Sequence, residues 1–173
     1  MTTCIGSLFA GYGGLTLAVQ AALGGQPAWH AETDPAAARV LANRWPGVPN
    51  LGDVTAVDWT SVPPVDVLDG GYPCQPESLA GLGLGQADER WLWPAYLTAI
   101  QVLRPRLAFG ENVAGHVQRG LRGVVADLQR AGYAVAWVTL AAAQVGACHG
   151  RRRVFWLAWP EGVGPPATFG HPG

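Results

Sequence analysis

Cys74 lies between two prolines in Pro73-Cys74-Gln75-Pro76, and thirty-seven residues after it the chain carries Glu111-Asn112-Val113. A thiolate is a strong nucleophile and a carboxylic acid can deliver or hold a proton. Together they are equipped for covalent attack on a ring that is protonated as it is attacked. Each motif follows an apolar run of strand type, Val65-Asp66-Val67-Leu68-Asp69 before the first and Leu107-Ala108-Phe109 before the second. If both strands lie in one parallel sheet, thiol and carboxylate emerge at the same edge, where open α/β sheets bind their ligands. A lone cysteine is otherwise a small apolar residue, and a Glu-Asn pair can simply cap a turn. The flanking prolines and the strand-end position set Cys74 apart from Cys4 and Cys148.

A second cluster precedes this pair. Phe9-Ala10-Gly11-Tyr12-Gly13-Gly14 follows the strand Cys4–Phe9 and opens a helix. Glycines let backbone approach a ligand, and a helix N-terminus favours a negative group. Glu32 falls nineteen residues after Gly13, at the end of the next strand, where dinucleotide folds place the acid that takes ribose hydroxyls. Asp53 ends a third strand and is placed to accept from an adenine amino group. A bare strand–turn–helix junction accounts for glycines alone; the spaced trio of turn, Glu32 and Asp53 points to an adenosine-bearing ligand. Thr16 occupies the third glycine position of the dinucleotide fingerprint, which disfavours a nicotinamide.

The elements that must hold these groups alternate along the chain, the pattern of a sheet covered on both faces. Strands are predicted at Cys4–Phe9, Ala28–Glu32, near Asn50–Val54, at Val65–Asp69, Leu107–Phe109, Ala134–Leu140 and Val154–Trp159, the last two as a hairpin with a wide loop. Helices are predicted from Leu15 to about Leu23 and from Asp34-Pro35, a cap with proline at the first helical position, to Trp45. Two more carry apolar stripes, Leu92–Leu103 closed by Arg104-Pro105, and Leu121–Leu128 closed by Gly132. A glycine-rich loop, Leu79–Gly85, lies between the cysteine and the third helix. One domain, residues 1–160, and a flexible tail, 161–173, are expected.

Composition narrows the partners. At 173 residues and 49% hydrophobic the chain can bury a full core. All 11 basic residues are arginine, so P-loop-lysine and Schiff-base chemistry are excluded. A net charge of −1 argues against long-range electrostatic grip on nucleic acid. Three widely spaced cysteines suit a reducing compartment better than a disulfide framework. No run reaches the length of a membrane span, and a soluble cytoplasmic protein is expected.

Over residues 3–159 the chain resembles the DNA (cytosine-5) methyltransferases. The resemblance is carried by Ser7-Leu8-Phe9-Ala10-Gly11-Tyr12-Gly13-Gly14, Glu32-Thr33-Asp34-Pro35, Gly52-Asp53-Val54, Gly70-Gly71-Tyr72-Pro73-Cys74-Gln75-Pro76, Asp88-Glu89-Arg90, Glu111-Asn112-Val113 and Gly146–Phe155 with its Arg151-Arg152-Arg153, in the family's order. It implies an α/β, Rossmann-like S-adenosylmethionine-dependent sheet, mostly parallel with a terminal antiparallel hairpin. It implies S-adenosylmethionine held by Phe9, Gly11, Gly13, Gly14, Glu32, Thr33, Asp53, Val54, Pro73 and Leu92, and no metal. The implied catalytic set is Cys74 as nucleophile, Glu111 as the acid at N3, Arg153 on the cytosine and Arg151 near the phosphate or the sulfur. Gln75, Ser78, Asn112 and Val113 are implied substrate contacts. DNA is the implied partner, with its target cytosine flipped out of the duplex.

The pattern departs from the family in places. Glu77 stands where an aromatic residue is usual, and an ionised acid there opposes thiolate formation. Cys148 and His149 replace a common proline and glutamine. The family also continues into a target-recognition domain and a C-terminal motif beyond the arginine motif, with which this sequence nearly ends. DNA binding is therefore expected to be weak or non-specific, with a second chain supplying recognition. Three readings follow: a minimal or split cytosine-C5 methyltransferase domain, a catalytically weak or inactive cofactor-binding subunit needing a partner, or the same chemistry on RNA or free cytosine nucleotides.

Overall fold

The computed structural model describes residues 2–73 and 92–164. Cys74, Gln75, Glu77, Ser78, the glycine-rich loop and Asp88-Glu89-Arg90 lie outside them.

The chain runs β1 (Cys4–Leu8), α1 (Gly14–Leu23), β2 (Gln26–Ala31), α2 (Pro35–Arg44), β3 (Val67–Gly70), α3 (Trp93–Leu103), β4 (Leu107–Val113), α4 (His116–Arg119), α5 (Leu121–Arg130), β5 (Tyr133–Ala141), a 3-10 turn (Ala142–Val145) and β6 (Arg152–Pro160). The strands form one sheet in the order β2-β1-β3-β4-β6-β5. The β2-β1-β3-β4 half is parallel, and β6 runs antiparallel to both β4 and β5. The mostly parallel sheet with its terminal hairpin is as expected from the sequence.

Local chemistry explains the helix ends. Asp34 caps α2, its Oδ1 accepting from Ala36 and Ala37 N–H at 2.8 and 2.7 Å. Gly13 stands at the cap of α1, and its φ of 79° is a left-handed conformation that disfavours a side chain. α3 ends at Arg104 with φ 49°, where a glycine is usual. Its side chain offsets that strain, with Nη1 donating to the Ala131 carbonyl at 2.6 Å and the guanidinium 4.9 Å above the Tyr133 ring.

One expected strand is not there. The Asn50–Val54 segment makes a single parallel bridge, Asn50 to His30, and nothing more. Pro49 has no N–H to give a ladder, Gly52 turns the chain with φ 75°, and the Asn50 side chain takes the backbone groups of Glu32. Helix α4 and the 3-10 turn were not foreseen.

The main core lies on one sheet face under α3 and α5 and is dense in rings. Tyr72, Trp93, Tyr96 and Trp156 pack with centroids 5.3 to 6.4 Å apart. Their room comes from the strands beneath: a Cβ at Gly110 would overlap the Trp156 ring, and one at Gly70 would lie 2.9 Å from Tyr96. On the opposite face α1 packs against β1 and β3 through Ile5, Val19 and Val67. Beyond it an apolar trough of about 190 Å³ opens, floored by Val67, Leu107, Phe109 and Leu157. Phe109 stacks on Phe155 there, and Val138 is 48% exposed.

Candidate active site

The sheet topology brings the two clusters together at the carboxyl ends of β1, β2, β3 and β4. β1 delivers the glycine turn. Phe9 has φ 51°, and a bulky residue held left-handed marks a backbone fixed by its surroundings. Gly13 follows at φ 79°; a Cβ there would lie 2.5 Å from the Trp45 ring. Arg44 closes the outside of the turn, Nη1 donating to the Tyr12 carbonyl at 2.9 Å.

Glu32 is fixed by four hydrogen bonds at the end of β2. Its Oε2 accepts from Gly11 N–H at 2.6 Å and its Oε1 from Asp34 N–H at 2.8 Å. Its own N–H donates to Asn50 Oδ1 at 3.0 Å, and its carbonyl accepts from Asn50 Nδ2 at 2.9 Å. Each carboxylate oxygen keeps a lone pair for a ligand hydroxyl. Asp53 accepts from Thr55 N–H at 2.9 Å and from the Thr55 hydroxyl at 2.8 Å. These two bonds hold its carboxyl below the usual range, so it stays an acceptor at neutral pH.

Phe9, Ala31, Glu32, Thr33, Gly52, Asp53, Val54, Pro73 and Leu92 line one cavity of about 250 Å³. Apolar walls from Phe9, Val54, Pro73 and Leu92 face acceptors from Glu32 and Asp53. This is an arrangement for a flat, amino-bearing ring with an attached diol. Gly11, Gly13 and Gly14 form the turn beside it. Pro73, the residue before Cys74, belongs to the same wall.

The second cluster adjoins the first. Glu111 lies on β4 and Arg153 on β6, paired through Arg153 Nε and Glu111 Oε1 at 2.6 Å. Both side chains are partly exposed, at 26% and 21%. A Cβ on Gly71 would sit 3.4 Å from Glu111 Oε2, so the carboxylate reaches a point three residues from the thiol. Asn112 is buried; its Nδ2 donates to the Tyr72 carbonyl at 3.1 Å and its Oδ1 accepts from Val113 N–H at 2.8 Å. It thereby fixes the backbone two residues before Cys74. Val113 is 39% exposed and pairs with Arg153 across the strands. Arg151 is exposed just before β6, its carbonyl taken by Ala142 N–H at 2.8 Å.

Some supporting residues carry no sequence signature. Asn50 orients Glu32 from the strand that did not form. Tyr72 donates or accepts across 2.9 Å to His116 Nε2, and burial pushes that imidazole down from 6.5 to about 4, leaving it neutral. Among the described residues no group of acids, histidines or cysteines could hold a metal ion, and no helix is long and apolar enough to cross a membrane.

Comparisons with known proteins agree with this arrangement. The family model for C-5 cytosine-specific DNA methylase matches residues 3–165. The Type II methyltransferase M.HgiBI of Herpetosiphon aurantiacus is 38% identical over 156 residues, 86% of this chain and 35% of that protein. The Type II methyltransferase M.NlaX of Neisseria lactamica is 34% identical over 158 residues, 88% of this chain and 50% of that protein. This chain thus spans a third to a half of the length of these relatives. In fold it matches the S. pombe Dnmt2 methyltransferase with a TM-score of 0.79 at 18% identity, covering 95% of this chain and 53% of that one. With the family model matched along nearly its whole length, the chain belongs to the C-5 cytosine-specific DNA methylases.

Proposed function

We propose that this chain is the catalytic portion of a DNA cytosine-C5 methyltransferase that uses S-adenosylmethionine. The observation that carries the reading is the Glu111–Arg153 pair beside the strand that leads to Cys74, next to the acid-lined cavity. The cavity fits the cofactor: Glu32 would hold the ribose hydroxyls, Asp53 the adenine amino group, and Phe9 and Leu92 its ring faces. When bound, S-adenosylmethionine supplies an electrophilic methyl group on a sulfonium.

The chain's own groups make cytosine able to accept it. Unactivated C5 is a poor nucleophile. Attack by the Cys74 thiolate on C6 converts the ring to an enamine that is electron-rich at C5. Glu111, as the acid, holds a proton at N3 and stabilises the charge pushed into the ring. Arg153 keeps that carboxyl in place and donates to the base, while Arg151 stands ready for phosphate. Asn112 holds the Tyr72 carbonyl, and Gln75, Ser78 and Val113 would contact the base. Once C5 carries the methyl group, a base takes the C5 proton and Cys74 leaves by elimination as the thiolate.

A reaction at C6 requires the base outside the duplex. The net charge of −1 and the open apolar trough between α1 and β4 support a further segment, from this polypeptide or a companion chain, that covers the sheet and brings DNA. The test is covalent trapping on DNA containing 5-fluorocytosine with S-adenosylmethionine present, with and without lysate of the native host. An adduct that disappears in Cys74→Ser supports the proposal. Cofactor binding with no adduct in either condition favours a non-catalytic subunit. Turnover of deoxycytidine nucleotides but not polymers would move the same chemistry to a smaller substrate.

A further inference from the structure

Helix α2 touches both halves of the acid-lined site, yet neither of its ends lines the cavity. At its start Asp34 N–H donates to Glu32 Oε1 at 2.8 Å, and the Asp34 side chain caps the helix. At its far end, about 15 Å along the axis, Arg44 and Trp45 meet the glycine turn. Arg44 Nη1 donates to the Tyr12 carbonyl at 2.9 Å, and its guanidinium lies 5.7 Å from the Trp45 ring centroid. A Cβ on Gly13 would lie 2.5 Å from the Trp45 ring and 3.2 Å from Leu41 Cδ2, so Trp45 and Leu41 fill the space under that residue. The buried His30 of β2 packs on Trp45 in turn, with ring centroids 5.1 Å apart. Glu32 Oε2 accepts from Gly11 N–H at 2.6 Å and closes the circuit from the turn through α2 and back.

We propose that Arg44 and Trp45 are positioning residues for the cofactor turn, holding its backbone in the binding conformation from outside the cavity, with α2 as the rigid link to Glu32. The turn needs such a brace. Phe9, Gly11 and Gly13 all have positive φ, and left-handed backbone at a bulky residue such as Phe9 persists where its surroundings over-determine it. Within the turn, Gly13 N–H donates to the Ala10 carbonyl at 2.8 Å. Arg44 adds a charge-assisted bond to the next carbonyl but one. Trp45 supplies volume, so that Gly13 cannot shift towards α2 without a clash. Loss of either brace lets the turn populate other conformations, and affinity falls with the fraction that still matches the ligand. Arg44 is exposed, so its substitution leaves the core untouched.

Because this rests on the turn being the S-adenosylmethionine site, cofactor affinity and turn mobility are measured separately on the full chain. In calorimetry Arg44→Ala and Arg44→Met should each bind S-adenosylmethionine about 5-fold more weakly, the loss of one charge-assisted bond. Arg44→Lys can still donate to the Tyr12 carbonyl and should recover most of the affinity. The loss in Arg44→Met should persist at about 0.5 M salt, where the long-range attraction of an exposed arginine for a bound carboxylate is screened. Trp45→Leu keeps an apolar group but vacates part of the space against Gly13, and should weaken binding about tenfold. Without cofactor, amide exchange across Gly11–Gly14 should quicken in Arg44→Met and return towards the native rate in Arg44→Lys, with β6 unchanged in both. Native affinity in Arg44→Met, a loss as large in Arg44→Lys, or a loss that vanishes in salt would overturn the proposal. Exchange changing as expected in a chain whose native form binds no cofactor would support the brace and refute the cofactor reading.

Discussion

Asp69 and His116, both buried, should oppose one another in the pH dependence of this domain's stability in mild acid, and removing one should expose the other. Asp69 holds its proton up to about 7 in the folded chain against 3.8 when free. The folded state therefore binds more protons across that interval, and this contribution is fully present below 3.8 and lost as pH rises to about 7. At about 1.4 kcal/mol per pH unit the whole interval is worth up to about 4 kcal/mol. His116 acts in the opposite sense. It is only 2% exposed, and its folded value of about 4 lies below its ordinary 6.5. The unfolded chain binds the extra proton there, so stability rises with pH from about 4 to 6.5, by up to about 3 kcal/mol. Burial also lowers His30, which adds in the same direction. Between about pH 4 and 6.5 the slopes of Asp69 and His116 cancel. Relative to the native chain, urea unfolding of Asp69→Asn should then show a slope more positive by roughly 1.4 kcal/mol per pH unit, and His116→Gln a slope more negative by about as much. Asp69→Asn and His116→Gln curves both parallel to the native one would refute the assignment of these buried proton sites.

Other consequences are as direct. Glu111→Gln keeps size and removes the acid, so covalent trapping should slow by about 100-fold or more with cofactor affinity unchanged in calorimetry. An equal loss of both would mean that the carboxylate is structural. Gly13→Ala places a side chain at φ 79° and 2.5 Å from the Trp45 ring. It should destabilise the chain by about 1–3 kcal/mol in thermal unfolding and weaken cofactor binding more than Gly14→Ala, where a Cβ meets nothing within 4 Å. Asn50→Ala removes the two bonds that fix the Glu32 backbone. About tenfold weaker S-adenosylmethionine binding is expected, at roughly 1 kcal/mol per lost bond before relaxation. Unchanged affinity would show that Glu32 is set by Gly11 and Asp34 alone.

The alternation of elements, the cap at Asp34 and the glycine turn are local properties, encoded in hydrophobic period, capping chemistry and left-handed glycines, and they were legible in the sequence. Glu32 follows β2 and Glu111 lies on β4, so the apolar runs before them indicated their places at one sheet edge, whereas Asp53 reaches the Glu32 cavity from a turn. The strand expected near Asn50–Val54 does not form because Pro49, Gly52 and the Asn50 amide divert its backbone bonds. That competition depends on where Glu32 lies and has no signature in a one-dimensional pattern. The Arg153–Glu111 contact likewise needs β6 to run antiparallel beside β4, a pairing of distant segments that is fixed by packing Trp156 over Gly110.

By itself the sequence supplied the chemical groups, a thiol, an acid and an acid-bearing glycine turn, together with the motifs that mark the family. Tertiary structure decided the rest. It set Glu111 against Arg153, placed Pro73 in the wall of the Glu32 cavity, and sealed Asp69 from water beside Ser7. The reason is physical: proton affinity and reach depend on burial and on neighbours across the sheet, and those exist only once the strands have paired.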